Sequence, residues 1–296
     1  MTAHRTTGPA QPASRSRTEV ITREPAEGLA GMLDIAGPAA GADLPELWHW
    51  VYLLDRRPQR DLGPDGHPTT GIPAPPEPGR LRMFGGGRVS TYAPLRFGEP
   101  ARRTTRLVRE VEKVGASGPM TLATVRTDIE QDGQVAIVDE QDIVYRRAGS
   151  TVKARAAAAA EDDEPAPDGR LDMRVDPVVL FRFSALTYNA HRIHYDAHYA
   201  AEEGYPDLVV HGPLQALLMG ECFRRSGISM LGTTFAYRLV APTFGAQQLT
   251  VTSRVADGER SARVQDGQWR TTATATLRRL DTGPIPAPGG PPAAEA

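Results

Sequence analysis

The sequence predicts an α+β protein made of two similar units, each an antiparallel sheet wrapped around a central helix. An Ala-Pro turn leading into alternating strands occurs twice, at Ala93-Pro94 and at Ala241-Pro242, an offset of 148 residues. Each turn follows an apolar segment that begins with proline and has helical spacing. One supersecondary unit that occurs twice indicates a duplicated fold.

The first unit is expected at residues 18–146, after a basic tail at residues 1–17 that we predict to be disordered. Its central helix is predicted at residues 45–54, and residues 121–129 alternate as in a strand. Between these segments lies a Pro/Gly-rich loop at residues 58–87, with Gly85-Gly86-Gly87 as a turn into a strand. A loop of this length is usually functional, and we expect it to shape a substrate tunnel.

The second unit is expected at residues 173–283, after a linker at residues 147–172 and before a disordered tail at residues 284–296. Residues 178–183 are apolar and favour a strand, whereas residues 188–194 have no sustained period and indicate a loop. Asp196 is placed to cap a short helix. A longer apolar helix follows from Pro213, and residues 250–255 alternate as in a strand.

Four of the seven histidines lie within one stretch of 21 residues, from His191 to His211. Imidazole titrates near neutral pH, so this stretch is the expected place for acid–base chemistry. The helix that begins beside Pro213 offers unpaired N–H groups and partial positive charge to an oxyanion. Gly212 is the natural donor, because proline has no N–H.

This stretch resembles the (R)-specific enoyl-CoA hydratase motif of the MaoC-like hotdog family, Asp-x-Asn-Pro-x-His followed by an aspartate and a later His-Gly. The motif histidine falls on His194, the aspartate after it on Asp196, and the later pair on His211-Gly212. Asn189 stands where the family has its catalytic aspartate, and His191-Arg192 where it has Asn-Pro. With these departures, the stretch resembles the corresponding loop of one subgroup, that of hydroxyacyl-thioester dehydratase type 2 and mesaconyl-C4-CoA hydratase.

The resemblance to this subgroup covers most of the chain. It extends to Leu47-Trp48-His49-Trp50, to Gly63-Pro64-Asp65-Gly66-His67 and to residues 140–145. It implies a double hotdog fold in which the first half is degenerate, because that half has no counterpart of Asn189 and His194. We therefore expect one active site per chain, built in the second half.

The resemblance implies reversible hydration of an α,β-unsaturated acyl thioester, with syn addition and (R) stereochemistry. We expect His194 to be the general base and Gly212 to hold the enolate oxygen. Asn189 can orient water but cannot accept a proton, which predicts a one-base scheme. The residues expected to bind substrate are Tyr188, His191, Arg192 and His211.

Other readings of the same residues remain open. A hotdog thioesterase would need an activating carboxylate, for which Glu221 is the candidate, about 13 Å along the helix from Gly212. A non-catalytic acyl-thioester-binding subunit would keep the tunnel and lose the base. His191, His194 and His198 have spacings that suit zinc on a continuous helix, but the loop-like run argues against one, so no metal site is predicted.

Composition gives no sign of a nucleic acid or membrane partner. A formal net charge of −2 gives no indication of nucleic acid or membrane binding, and no apolar run reaches the roughly 18 residues of a membrane span. The one cysteine, Cys222, is expected in plain packing and suits a reducing cytoplasm. The expected partner is an acyl-CoA or acyl carrier protein thioester, with no cofactor, and a homodimer is the assembly considered.

Overall fold

The computed structural model describes residues 14–76, 80–115, 118–147 and 166–280. The helices and strands of the first half are β1 (Arg15–Val20), α1 (Glu24–Met32), β2 (Asp43–Leu44), β3 (Arg80–Thr91), β4 (Leu95–Arg96), β5 (Pro100–Gly115), β6 (Gly118–Gln131) and β7 (Gln134–Arg147). Those of the second half are β8 (Gly169–Val175), α2 (Pro177–Thr187), α3 (Ala197–Glu202), α4 (Gly212–Arg225), β9 (Thr233–Leu239), β10 (Gln247–Ala256), β11 (Glu259–Gln265) and β12 (Thr271–Arg279).

One antiparallel sheet of ten strands runs through both halves, in the order β1-β5-β6-β7-β3-β9-β12-β11-β10-β8. Read from β8, the second half repeats the order of the first half read from β1. The halves meet where β3 pairs with β9, from Thr91 opposite Thr233 to Gly86 opposite Arg238. The predicted duplication is therefore confirmed as two five-stranded units joined edge to edge.

The two Ala-Pro turns are equivalent in structure as well as in sequence. In the first half, the N–H groups of Tyr92-Ala93 both donate to the carbonyl of Ala136, at 2.8 and 3.2 Å. In the second half, the N–H groups of Val240-Ala241 donate to the carbonyl of Thr272 at the same two distances. Each turn thus leads the chain in the same way out of the strand, β3 or β9, by which its unit pairs with the other unit.

Helix α4 is the central helix of the second half, as predicted. It packs against β8, β10, β11 and β12, and every residue from Leu214 to Phe223 is buried. A helix that is buried on all sides must be enclosed by the sheet and its neighbours. Cys222 lies in this packing with 1% of its surface exposed.

The central helix predicted for the first half at residues 45–54 is wrong. The chain there forms only a 3₁₀ turn, Trp48–Val51, between residues with positive φ, Leu47 at 67° and Leu53 at 53°. Tertiary contacts outweigh the helical spacing: the indole N–H of Trp48 donates to Glu221 at 2.8 Å, and that of Trp50 to Asp139 at 2.8 Å. In the first half, this 3₁₀ turn therefore stands where the second half has its central helix.

The strand predicted at residues 178–183 is also wrong, because this segment belongs to α2. Asp176 caps the helix by accepting from the N–H of Val179 at 2.9 Å, and Pro177 occupies the first turn. Leu180, Phe183 and Ser184 are buried, which is the spacing of a helix face. The cap and this spacing outweigh the β propensity of the apolar run.

Several predicted boundaries need correction. Strand β8 begins at Gly169, inside the predicted linker, and β1 begins at Arg15, inside the predicted tail. Strand β3 begins at Arg80, so the glycines at positions 85–87 lie in a strand, next to a bulge, and not in a turn. The rest of the predicted tails and linker lies in residues 1–13, 148–165 and 281–296, outside the described residues. In the described part of the chain, no helix is long and apolar enough to cross a membrane.

The junction of the halves predicts a stability effect at Gly87. A Cβ at this position would lie 2.3 Å from the carbonyl oxygen of Glu140 and 2.8 Å from the hydroxyl of Tyr237. We expect Gly87→Ala to lower the free energy of unfolding by about 2 kcal/mol, as overpacking does. Gly37→Ala is the control, because its nearest neighbour would be Glu27 at 3.5 Å. Equal denaturation midpoints for the two variants would contradict the close approach.

Candidate active site

The histidine loop between α2 and α3 is fixed at both ends by local hydrogen bonds. Helix α2 ends with Tyr188 in the left-handed region, at φ 52°, and the N–H of Asn189 returns to the carbonyl of Ser184 at 2.8 Å. Residues Arg192–His194 form a 3₁₀ turn. Asp196 then caps α3, as predicted, by accepting from the N–H of Tyr199 at 3.0 Å.

His194 is held in one tautomer. Its Nδ1 lies 2.7 Å from the carbonyl oxygen of Val209, which can only accept, so Nδ1 carries the hydrogen. Nε2 is then a bare acceptor, and it makes no hydrogen bond to any residue that the structure describes. Burial, followed by the neighbouring His211, lowers the pKa of His194 well below its ordinary value. His194 is therefore a neutral base that lines the main cavity.

His211 lies against His194 and braces it. The two rings stack with centroids 3.6 Å apart, and Nε2 of His211 is 2.9 Å from the hydroxyl of Ser184 on α2. Burial lowers the pKa of His211 to about 3, so it adds no positive charge beside His194. His211 is 1% exposed and does not line the cavity, which corrects its expected contact with substrate.

Gly212 opens α4 at the cavity wall. A Cβ here would meet the side chain of Leu239 at 2.0 Å and that of Phe84 at 3.2 Å, so a larger residue would have to displace them. As the first residue of the helix, its N–H has no partner within α4. The N–H and the partial positive charge of the helix start are available to a developing oxyanion.

The other expected site residues divide into two groups. Tyr188, Asn189 and His191 line the cavity together with His194. Arg192 does not line it, which corrects its expected role in substrate binding: its guanidinium pairs with Asp196 at 2.7 Å and stacks over Tyr199.

The cavity extends from His194 and Gly212 into the first half of the chain. Its volume is about 1130 Å³, at the upper end of the range for ligand pockets, and it reaches Trp50, Asp139 and Gln141. The indole N–H of Trp50 donates to Asp139 at 2.8 Å, and the side-chain amide of Gln141 donates to the same carboxylate at 3.1 Å. The far end is therefore polar, whereas the wall near Gly212 is apolar.

Two site residues that the sequence analysis missed come from the first half. Asp65 and His67 lie in the long loop, and His67 lines the cavity, 4.0 Å from the His191 ring. Ligand atoms of Asp65, His67 and His191 lie within 4.8 Å of one another, a grouping that could hold a metal ion. The segment Gly63-Pro64-Asp65-Gly66-His67 belongs to the family pattern, and that signal could have identified both residues.

Glu221, the carboxylate considered for a thioesterase, does not face the cavity. It is 2% exposed, accepts from the indole of Trp48 at 2.8 Å and pairs with Arg224 at 2.6 Å. Its two oxygens are thus engaged in structural contacts at the far end of α4. It is not positioned to activate water beside a thioester.

Comparison with known sequences gives the family. The profile of hydroxyacyl-thioester dehydratase type 2 matches residues 47–245. The chain is 44% identical over 246 residues to mesaconyl-C(4)-CoA hydratase from Chloroflexus aurantiacus, covering 81% of this chain and 86% of that protein. It is 25% identical over 264 residues to the mitochondrial hydroxyacyl-thioester dehydratase type 2 of Schizosaccharomyces pombe, covering 75% and 83%.

Solved structures support the fold. A MaoC-like dehydratase matches with a TM-score of 0.65 at 15% identity, covering 92% of this chain and 98% of its own. A Mycobacterium tuberculosis protein described as a double hotdog matches with a TM-score of 0.52 at 15% identity, covering 92% and 96%. The expected α+β double hotdog is thus confirmed, and the chain belongs to the hydroxyacyl-thioester dehydratase type 2 family.

Proposed function

We propose that this protein is a hydro-lyase that reversibly adds water across the double bond of an α,β-unsaturated acyl thioester. The observation that carries the proposal is the pairing of a neutral base with an oxyanion donor in one cavity. Nε2 of His194 supplies the base, and the N–H of Gly212, at the start of α4, supplies the donor. The family membership supports the same reaction class.

In the hydration direction, His194 takes a proton from water at Nε2 while the water oxygen bonds to C3. The electron pair of the double bond moves onto the thioester oxygen, which Gly212 stabilises. The imidazolium then returns the proton to C2, and the thioester carbonyl is restored. Since one group takes and returns the proton on one face, syn addition follows. The (R) product is what the family resemblance implies.

Asn189 serves as a fixed polar group beside this base. Its side-chain oxygen accepts from the N–H of His191 at 3.1 Å, which leaves its NH₂ group as a donor. A donor in this position can hold the C3 hydroxyl oxygen but cannot remove a proton. The asparagine therefore supports orientation, and proton transfer depends on histidine.

The assay that tests the proposal follows the absorbance of the conjugated enoyl thioester. Incubation with crotonyl-CoA and mesaconyl-C4-CoA should remove this absorbance without releasing free thiol. Release of thiol would indicate the alternative thioesterase. Binding without either change would indicate the alternative non-catalytic acyl-thioester-binding subunit.

The finer proposal concerns the acyl group. The relative from Chloroflexus aurantiacus supports a short dicarboxylic CoA thioester such as mesaconyl-C4-CoA, and the cavity wall contains arginines. Arg82 on β3 lies close enough to His67 for its charge to affect the histidine. It makes no hydrogen bond to a described residue and is therefore available to a substrate carboxylate. Arg88, on the same strand, pairs with Glu140 and lies outside the cavity.

We propose a cytoplasmic setting and a role in fatty acid metabolism on chemical grounds. A single buried cysteine suits a reducing cytoplasm, and the reaction class suits fatty acid metabolism. A CoA thioester is favoured over acyl carrier protein by the Chloroflexus aurantiacus relative. A homodimer of the fused double unit is the assembly we propose, which size-exclusion chromatography with light scattering would test.

His194→Ala should lower the turnover of crotonyl-CoA by roughly 10²-fold or more, because the proposed general base is removed. His198→Ala is the matched control, since that histidine is 86% exposed and pairs with Glu202 on α3. Steady-state kinetics on both variants, with circular dichroism for the fold, makes the comparison. A folded His194→Ala enzyme with near wild-type turnover would remove this residue from the mechanism.

The pH dependence of kcat/KM should show no loss as the pH falls from about 8 to about 6.5. His194 must be neutral to accept a proton, and its lowered pKa keeps it neutral below 6.5. Activity should therefore fall only in more acidic buffer. A single ionisation with its midpoint at or above 6.5 in the hydration direction would contradict a buried neutral base.

Arg82→Gln should raise the KM for mesaconyl-C4-CoA by about tenfold, the scale of a lost charge-assisted hydrogen bond, and leave that for crotonyl-CoA nearly unchanged. Arg88→Gln on the same strand is the matched control. Kinetics with both substrates on both variants provides the test. An equal effect of Arg82→Gln on the two substrates would contradict its role with the carboxylate.

A further inference from the structure

The long loop of the first half is docked directly onto the histidine loop of the second. A Cβ at Gly66 would lie 1.8 Å from the carbonyl oxygen of Ala190, so only glycine permits this approach. The N–H of Arg192 donates to the carbonyl of Asp65 at 2.9 Å, and its guanidinium donates to the carbonyl of Pro64 at 3.1 Å. The two loops therefore form one wall of the cavity.

Within this wall, Asp65 fixes the ring of His67. One carboxylate oxygen accepts from the backbone N–H of His67 at 2.9 Å, and the other lies 3.2 Å from Nδ1. Both carboxylate oxygens therefore face the same residue, one at its backbone and one at its ring. An ionised carboxylate can only accept, so Nδ1 of His67 carries the hydrogen and Nε2 is a bare acceptor.

His67 and His194 thus present the same tautomer to one cavity. The His67 ring is 4.0 Å from that of His191, which is 5.5 Å from that of His194. Nε2 of His67 makes no hydrogen bond to a residue in the described ranges.

The attacking water needs two acceptors. It directs a lone pair at C3 of the enoyl group, and both of its O–H bonds must point elsewhere. His194 takes one of the two protons. Where the wider family has a catalytic aspartate, Asn189 has its oxygen already engaged by the N–H of His191 at 3.1 Å, and its NH₂ can only donate.

We propose that His67 is a catalytic residue of the first half, whose Nε2 accepts a hydrogen bond from the second O–H of the attacking water. This inference rests on the proposed hydratase function. The proton balance is unchanged: His194 takes one proton and returns it to C2, and the proton facing His67 stays on oxygen as the C3 hydroxyl. Asp65 is a positioning residue that fixes the tautomer of His67.

The test compares two substitutions of His67: one removes the hydrogen-bond acceptor, and the other supplies a different acceptor. His67→Phe keeps a ring and removes the acceptor, whereas the amide oxygen of His67→Gln can reach the position of Nε2. We expect His67→Phe to lower kcat for crotonyl-CoA between about 10-fold and 100-fold, and His67→Gln to recover a large part of it. His198→Gln, on the exposed face of α3, should behave as wild type.

A second measurement separates catalysis from loop structure. Butyryl-CoA is saturated and binds without any reacting water, so its Kd, measured by calorimetry, should change less than about threefold in His67→Phe. Because Asp65, His67 and His191 could hold a metal, the wild-type enzyme is also assayed after dialysis against a chelator, which should leave kcat unchanged.

Four results would overturn the role of His67 and leave the proposed hydratase function intact. Two concern kcat: a wild-type value in His67→Phe, or no gain in His67→Gln. The other two are a weakening of butyryl-CoA binding by the same factor as kcat, and a loss of activity on chelation that zinc restores. A wild-type protein that hydrates no enoyl thioester would instead contradict the proposed function itself, and the role of His67 with it.

Discussion

The pairing of β3 with β9 is the constraint on which the site depends. It joins two five-stranded units into one sheet and fixes the long loop of the first half relative to the histidine loop of the second. Gly66 then approaches Ala190 so closely that no side chain fits between them. The site is therefore a product of the fused chain, even though the proposed base and the proposed oxyanion donor both belong to the second half.

Burial gives the site its chemical character. His194 and His211 stack inside the protein, and a backbone carbonyl rather than a carboxylate orients His194. Burial favours the neutral form of both rings, so the site contains imidazole lone pairs instead of positive charge. A neutral base beside a helix N-terminus is suited to forming and quenching an enolate, because the charge appears only during the reaction.

Much of this could be predicted from the sequence. The repeated Ala-Pro turn indicated the duplication, and the motif around His194 and Gly212 indicated the family and the reaction. The errors arose where distant contacts decide local structure. Trp48 donates a hydrogen bond to Glu221 and Trp50 donates one to Asp139, and a 3₁₀ turn forms there instead of the expected helix. The role proposed for His67 could not be derived from spacing, because it depends on how the two halves dock.

The central claim is that His194 is a neutral imidazole with hydrogen on Nδ1 and a bare Nε2. Nitrogen-15 NMR of histidine-labelled protein at neutral pH tests it directly, with His194→Ala to assign the signals. The account predicts one protonated and one unprotonated ring nitrogen for His194, with the proton on Nδ1. An imidazolium with both nitrogens protonated, or the opposite tautomer, would contradict the account.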